Sequence, residues 1–162
     1  MQGKWAVNKA GHFAPTEKPE FAYAFAGDMD WVDYTITAEL INGQDAGLLV
    51  RAKDWDNCVF LVIRPVHKDL WWFVRRNGEW GGVLSPTALN FGPKPRLSVK
   101  VTVMGDVFTC YLDGKQVSQI KDATFPRGRI GVYIHPAEEG QAWDKVQVTL
   151  VERGAAVVAE KK

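Results

Sequence analysis

Leu97-Ser98-Val99-Lys100-Val101-Thr102-Val103 alternates apolar and polar side chains without a break. Successive side chains of a β-strand point to opposite faces, so the leucine and valines of this stretch line a core while Ser98, Lys100 and Thr102 face water. The run continues through Met104 into Gly105-Asp106, which fits a two-residue hairpin turn with glycine first. It then returns as Val107–Leu112 and ends in Asp113-Gly114, a turn in which both central residues need positive φ. The same alternation appears in Tyr34–Leu40 and in Val146–Leu150. β-Branched and aromatic residues dominate these runs, as the pleated surface of a sheet favours.

Turn chemistry separates the runs along the rest of the chain. Asn77-Gly78 fits another tight hairpin, and Asn42-Gly43 marks a longer loop. Pro65, Pro86, Pro93, Pro95, Pro126 and Pro136 fall between runs or at their ends, where a missing N–H does no harm. Pro86 to Pro95 reads as loop and could border a binding surface. Turns recur about every 8–12 residues, the spacing of a sandwich of many short strands. Helix is nearly absent. Pro136–Gly140 could form a single turn, and residues 153–162 read as a frayed end or linker behind one domain over residues 1–152. The expected fold class is all-β, an antiparallel β-sandwich.

A chain of 162 residues suits one domain with a substantial core. Its 20 basic and 19 acidic residues leave a formal charge of +1. That balance argues against a nucleic-acid footprint and against a polybasic membrane anchor. No stretch is long and apolar enough for a spanning helix, so membrane insertion is not expected. The start, MQGKWAVNKAG, has no apolar signal-peptide core, which leaves a cytoplasmic protein or an excised piece of a secreted one. Cys58 and Cys110 lie in apolar runs and read as buried thiols, with a single inter-strand disulfide as the alternative.

Three segments break the alternation. Gly47–Ala52, Cys58–Arg64 and Leu70–Arg76 are apolar on both faces, the mark of central strands covered on both sides. Arg51 and Arg64 sit in the first two, and the third has a tryptophan on each face, Trp71 and Trp72. There are seven tryptophans in all, more than one core of this size uses, so some must lie at element ends or on a binding face.

WVDYTITAEL from Trp31, AGLLVRAKDWDNCVFLVI from Ala46, KVTVMGDVFTCYLDGKQV from Lys100, FPRGRIGVYI from Phe125 and AWDKVQV from Ala142 follow one another in a familiar order. In that order the chain resembles the concanavalin A-like, laminin-G-like jelly-roll superfamily, and most of all its non-catalytic carbohydrate-binding modules. The resemblance implies two stacked sheets, one concave, with ligands in the concave groove or along its rim. It also implies that a structural calcium site could lie in loops at the sheet edge, for which Asp28, Asp30, Asp54 and Asp56 supply oxygen ligands; acidic turn residues also cap turns without metal. No other cofactor is expected.

Glycoside hydrolysis needs two carboxylates, about 5–5.5 Å apart for retention and wider for inversion. The Glu-x-Asp-x-x-Glu strand motif of hydrolytic relatives does not occur here: Glu39 is alone on its strand, and Glu138 and Glu139 are adjacent in a loop. His12, His67 and His135 are scattered, with no nucleophile motif nearby. Sugar binding instead calls for flat aromatic faces and a few charged or amide groups. The expected ligand residues are Arg51, Arg64, Trp72 and His135 in the groove, Trp55 and Trp80 as stackers on the rim, and Asn57 in the turn beside Trp55. The expected function is a non-catalytic, lectin-like carbohydrate-binding module with a glycan or oligosaccharide as partner. A protein-interaction domain that assembles into oligomers and a hydrolase relative remain as alternatives.

Overall fold

The computed structural model describes residues 4–17, 20–136 and 140–151. The expected tail over residues 153–162, the turn around Ala137 and the Glu138–Glu139 pair lie outside the described residues. The strands run, in chain order, as β1 Trp5–Val7, β2 Phe13–Pro15, β3 Ala22–Ala26, β4 Tyr34–Ile41, β5 Ala46–Asp54, β6 Asn57–Arg64 and β7 Asp69–Arg76. They continue as β8 Glu79–Trp80, β9 Leu84–Ala88, β10 Arg96–Met104, β11 Val107–Leu112, β12 Lys115–Lys121, β13 Arg129–Ile134 and β14 Ala142–Leu150. One short 3₁₀ turn, Pro65–His67, joins β6 to β7.

Two antiparallel sheets form the expected β-sandwich. Sheet 1 has the order β1-β2-β14-β4-β10-β11-β12, and sheet 2 the order β3-β13-β5-β6-β7-β8, with β9 also paired to β7. The alternating run at Leu97 becomes β10, paired between β4 and β11. Its apolar set Leu97, Val99, Val101 and Val103 is buried against Leu48, Val50, Val59, Leu61 and Ile63 from sheet 2. The tight turns have the expected backbone: Asn77 and Gly78 are both at positive φ, as are Asp113 and Gly114, and Gly105 takes φ 59°. Pro86 departs from expectation. It lies inside β9, a short strand at the margin of sheet 2, where a proline's missing donor is tolerated.

Cys58 and Cys110 are free and buried. Cys58 belongs to sheet 2 and Cys110 to sheet 1, and burial pushes both thiols well above their ordinary pKa.

Two expected groove residues point the other way, into the interior. Simple alternation along β5 puts Gly47, Leu49 and Arg51 on one face, the face away from sheet 1. The register slips between Val50 and Asp54, and Arg51 takes φ 47°. Such a bulge re-aims a side chain. Arg51 is therefore 3% exposed at the end of the inter-sheet core, with its guanidinium carbon 5.2 Å from the Phe108 ring centre. Its Nη2 and Nε donate to the Val32 carbonyl at 2.8 and 3.2 Å, Nη1 donates to the Phe125 carbonyl at 3.2 Å, and Asp33 lies 3.6 Å away. The Arg51 backbone N–H donates to the Tyr34 hydroxyl at 2.8 Å. Burying a guanidinium is costly unless it is paired and hydrogen-bonded, and this one is both.

Trp72 is the second correction. It is 0% exposed, in the same core as Phe108, and its Nε1 donates to Ser118 Oγ at 2.9 Å across the sandwich. The strand alternation that turns Leu70, Trp72 and Val74 inward turns Trp71, Phe73 and Arg75 outward.

Candidate functional site

The outer face of sheet 2 carries a second apolar cluster, built from Leu49, Ala52, Cys58, Phe60, Val62 and Tyr133, with Tyr23, Phe25, Trp55, Trp71 and Phe73 packed on it. Most outward faces of a sheet are polar. This one is aromatic because β6 and β7 are apolar on both sides, and the two strands pair in register so that Phe60 lies beside Phe73 and Val62 beside Trp71. Phe60 and Phe73 stack with ring centres 4.8 Å apart. Gly47 makes room for the next column. A Cβ there would sit 1.8 Å from the Leu61 carbonyl oxygen and 2.6 Å from the Tyr133 ring, so only glycine lets that ring lie over β5.

A groove of about 380 Å³ opens on this face. Phe60, Val62, Phe73 and Tyr133 form its floor, and Trp71, Trp80 and Phe21 its sides. Trp80 is 48% exposed, held edge-on to Phe73 at 4.9 Å. The Arg75 guanidinium carbon lies 4.1 Å from the Trp80 ring centre, and its Nη2 is anchored by Asp56 at 2.9 Å. The Arg75 guanidinium thus orients the Trp80 indole through a cation–π contact.

The polar groups gather at one end. Arg64 grips Asp69 with two parallel hydrogen bonds, Nε to Oδ1 at 2.9 Å and Nη2 to Oδ2 at 2.7 Å, and stacks 4.1 Å from the Trp71 ring. Among the described residues, Nη1 of Arg64 has no hydrogen-bond partner. His135 stacks on Phe21 at 4.1 Å, with Nδ1 2.7 Å from the Glu20 carbonyl. A carbonyl only accepts, so Nδ1 carries the hydrogen and Nε2 is left for a ligand. Asp45, from the loop before β5, completes the set. Burial raises its carboxyl pKa to about 6, against the opposing pull of His135, Arg64 and His67. Among the described residues its carboxylate has no hydrogen bond or ion pair, whereas the neighbouring Asp69 is fully engaged by Arg64.

Of the residues expected from the sequence, the fold brings Arg64, Trp80 and His135 together in the groove. Trp55 leans back from the β5–β6 hairpin and stacks on Tyr23 at 4.0 Å, half-buried beside the groove. Asn57 is a turn residue: its Nδ2 donates to Asp54 Oδ1 and its Oδ1 accepts the Asn77 N–H, both at 3.0 Å, which ties two hairpins together. The acidic candidates for calcium each have protein partners. Asp28 and Asp54 accept backbone N–H groups of Asp30 and Asp56, Asp30 faces Arg127, and Asp56 pairs with Arg75. Among the described residues, no three His, Cys, Asp or Glu side chains converge as a metal cluster.

Several groove residues escaped the sequence reading, namely Asp45, Phe21, Phe60, Phe73 and Tyr133. A signal for some of them was present. Arg64 alternates onto the face of Val62 and Phe60, and Asp69 opens β7 on the face of Trp71 and Phe73, whereas Arg75 and Arg76 close that strand with one charge on each face and do not choose between Trp71 and Trp72. Asp45 has no such marker, because nothing in a polar loop fixes its direction.

The architecture is that of jelly-roll β-sandwiches found in carbohydrate-binding proteins. The structure resembles the carbohydrate-binding module CBM66 from Bacillus subtilis with a TM-score of 0.78 at 20% identity, covering 91% of each chain. It also resembles a Caenorhabditis elegans galectin (TM-score 0.62, 12% identity, 82% of this chain and 93% of that one). A toad ovary galectin in complex with thio-digalactose matches with TM-score 0.63 at 9% identity, over 81% of this chain and 99% of that one. No family model matches the sequence, and no curated protein matches it.

Proposed function

We propose that this chain is a non-catalytic carbohydrate-binding module that takes a sugar in the groove on the outer face of sheet 2. The observation that carries the reading is a solvent-open aromatic groove with hydrogen-bonding groups confined to one end. A sugar ring has one apolar C–H face and a rim of hydroxyls, so it needs this combination of flat rings and a few placed polar atoms. The likeness of the fold to a carbohydrate-binding module and to galectins supports the same reading. Hydrolysis needs a second carboxylate across the bond, and Asp45 is the one carboxylate among the described lining residues.

A glycan array followed by calorimetric titration of the hits tests this. Trp80→Ala should weaken binding about tenfold or more, as loss of an aromatic stacking platform does, while the half-exposed ring costs only about 1–2 kcal/mol of stability and the variant stays folded. An array without hits, or a Trp80→Ala variant with unchanged affinity, would reject the groove. Turnover of polysaccharides or aryl glycosides by the purified protein would reject the non-catalytic assignment.

A further inference from the structure

Two carboxylates at and beside the polar end of the groove are in opposite situations: Asp45 lines it and Asp69 lies behind Arg64. Asp69 is neutralised by the two-pronged grip of Arg64. Asp45 lines the groove, is half-buried, and among the described residues has no hydrogen-bond or ion-pair partner. An unpartnered carboxylate that has lost much of its water is a strong acceptor waiting for donors, since leaving such a group unsatisfied is expensive. The charged and titratable groups facing it are Arg64 from β6, His67 from the 3₁₀ turn, Asp69 from β7, and Tyr133 and His135 from β13 and its end. With Arg64 and Asp69 cancelling, the ionised Asp45 leaves this end of the groove negative wherever the histidines are neutral.

We propose that the Asp45 carboxylate is the anchor of the groove, accepting two adjacent hydroxyls of a neutral sugar ring whose apolar face lies on the aromatic floor, and that the groove thereby excludes acidic sugars. This rests on the sugar-binding reading above and adds the ligand's charge class and its main polar contact. A carboxylate oxygen offers acceptors only, which matches paired hydroxyl donors. A uronate or sialate carboxylate would be brought against a like charge in a partly desolvated site, a juxtaposition that costs affinity steeply.

A second consequence is proton linkage. Only the ionised carboxylate accepts both hydroxyls, and its pKa of about 6 lies close to neutrality. Apparent affinity scales with the competent fraction, so binding should weaken about tenfold between pH 7.5 and pH 5.

The test is calorimetry with neutral gluco-, galacto-, fructo-, manno- and xylo-oligosaccharides and with oligogalacturonate and sialyl-lactose, on wild type, Asp45→Asn and Trp80→Ala, from pH 5 to 8. The expected result is binding of one or more neutral sugars and none of the acidic ones. Asp45→Asn should keep its melting temperature or raise it, bind about tenfold or more weakly at pH 7.5, and lose most of the pH dependence. The flat profile separates Asp45 from His67 and His135, which are unchanged in that variant. Binding that Trp80→Ala abolishes but Asp45→Asn leaves intact, with the pH slope retained, overturns the anchor while keeping the groove. Binding of the acidic sugars at pH 7.5 also overturns it. No binding of any sugar overturns both.

Discussion

Arg51 shows how one residue can carry opposite meanings in the sequence and in the fold. By alternation it belongs to the outer face of sheet 2, and by conformation it belongs to the core. The bulge that turns it depends on groups far away in the chain: the Tyr34 hydroxyl and the carbonyls of Val32 and Phe125. No local pattern announces those partners, so the reversal was not legible in Gly47–Ala52. Arg51→Ala should cost about 3–5 kcal/mol, measured by chemical denaturation, because it leaves Asp33 buried beside an empty space. If the variant loses sugar binding while remaining as stable as wild type, its assignment to the core is wrong. Trp71 and Trp72 pose the same question more mildly. The alternation makes them face opposite ways, and only the strand pairing, which sets Trp71 beside Val62 and Asp69 beside Arg64, decides which faces the groove.

At the scale of elements the sequence was more informative. The runs at Tyr34, Leu97 and Val146 became β4, β10 and β14, and the hairpin turns took the expected backbone, because both rest on local chemistry that the neighbours reinforce. The two-faced strands β5, β6 and β7 did prove central in sheet 2. Their composition foretold a covered outer face but not the exact set of rings, which depends on strand order and on how closely β13 approaches β5. Gly47 controls that approach. Gly47→Ala must push Tyr133 aside or separate β5 from β6, and should lose about 2 kcal/mol or more in stability, as overpacking does. It should also weaken sugar binding, since Tyr133 floors the groove. A variant that melts like wild type would show that the Tyr133 column is looser than described.

For the whole molecule, the sandwich divides its aromatics between two jobs. Trp72 and Trp143 fill the interior, and Trp71 and Trp80 shape a surface. This division answers the surplus of tryptophan in the composition. The acidic loops have partners within the fold: Asp28 and Asp54 close turns, while Asp30 and Asp56 meet arginines. We expect the melting temperature to be the same with millimolar calcium as with a chelator. A rise on adding calcium would place a cation in those loops. The groove itself was half legible. Its aromatic character follows from composition, and its polar end follows from where three loops and strand ends meet, which is a property of the closed fold.

The two thiols have a consequence of another kind. One cysteine lies in each sheet, both are sealed from solvent, and burial keeps both protonated at neutral pH. Only a thiolate reacts with alkylating reagents. The chain thus contains two internal clocks. Cys58 lies under the aromatic cover of the outer face of sheet 2 and Cys110 lies between the sheets, so the order in which they become alkylated tells whether that cover lifts before the sandwich opens.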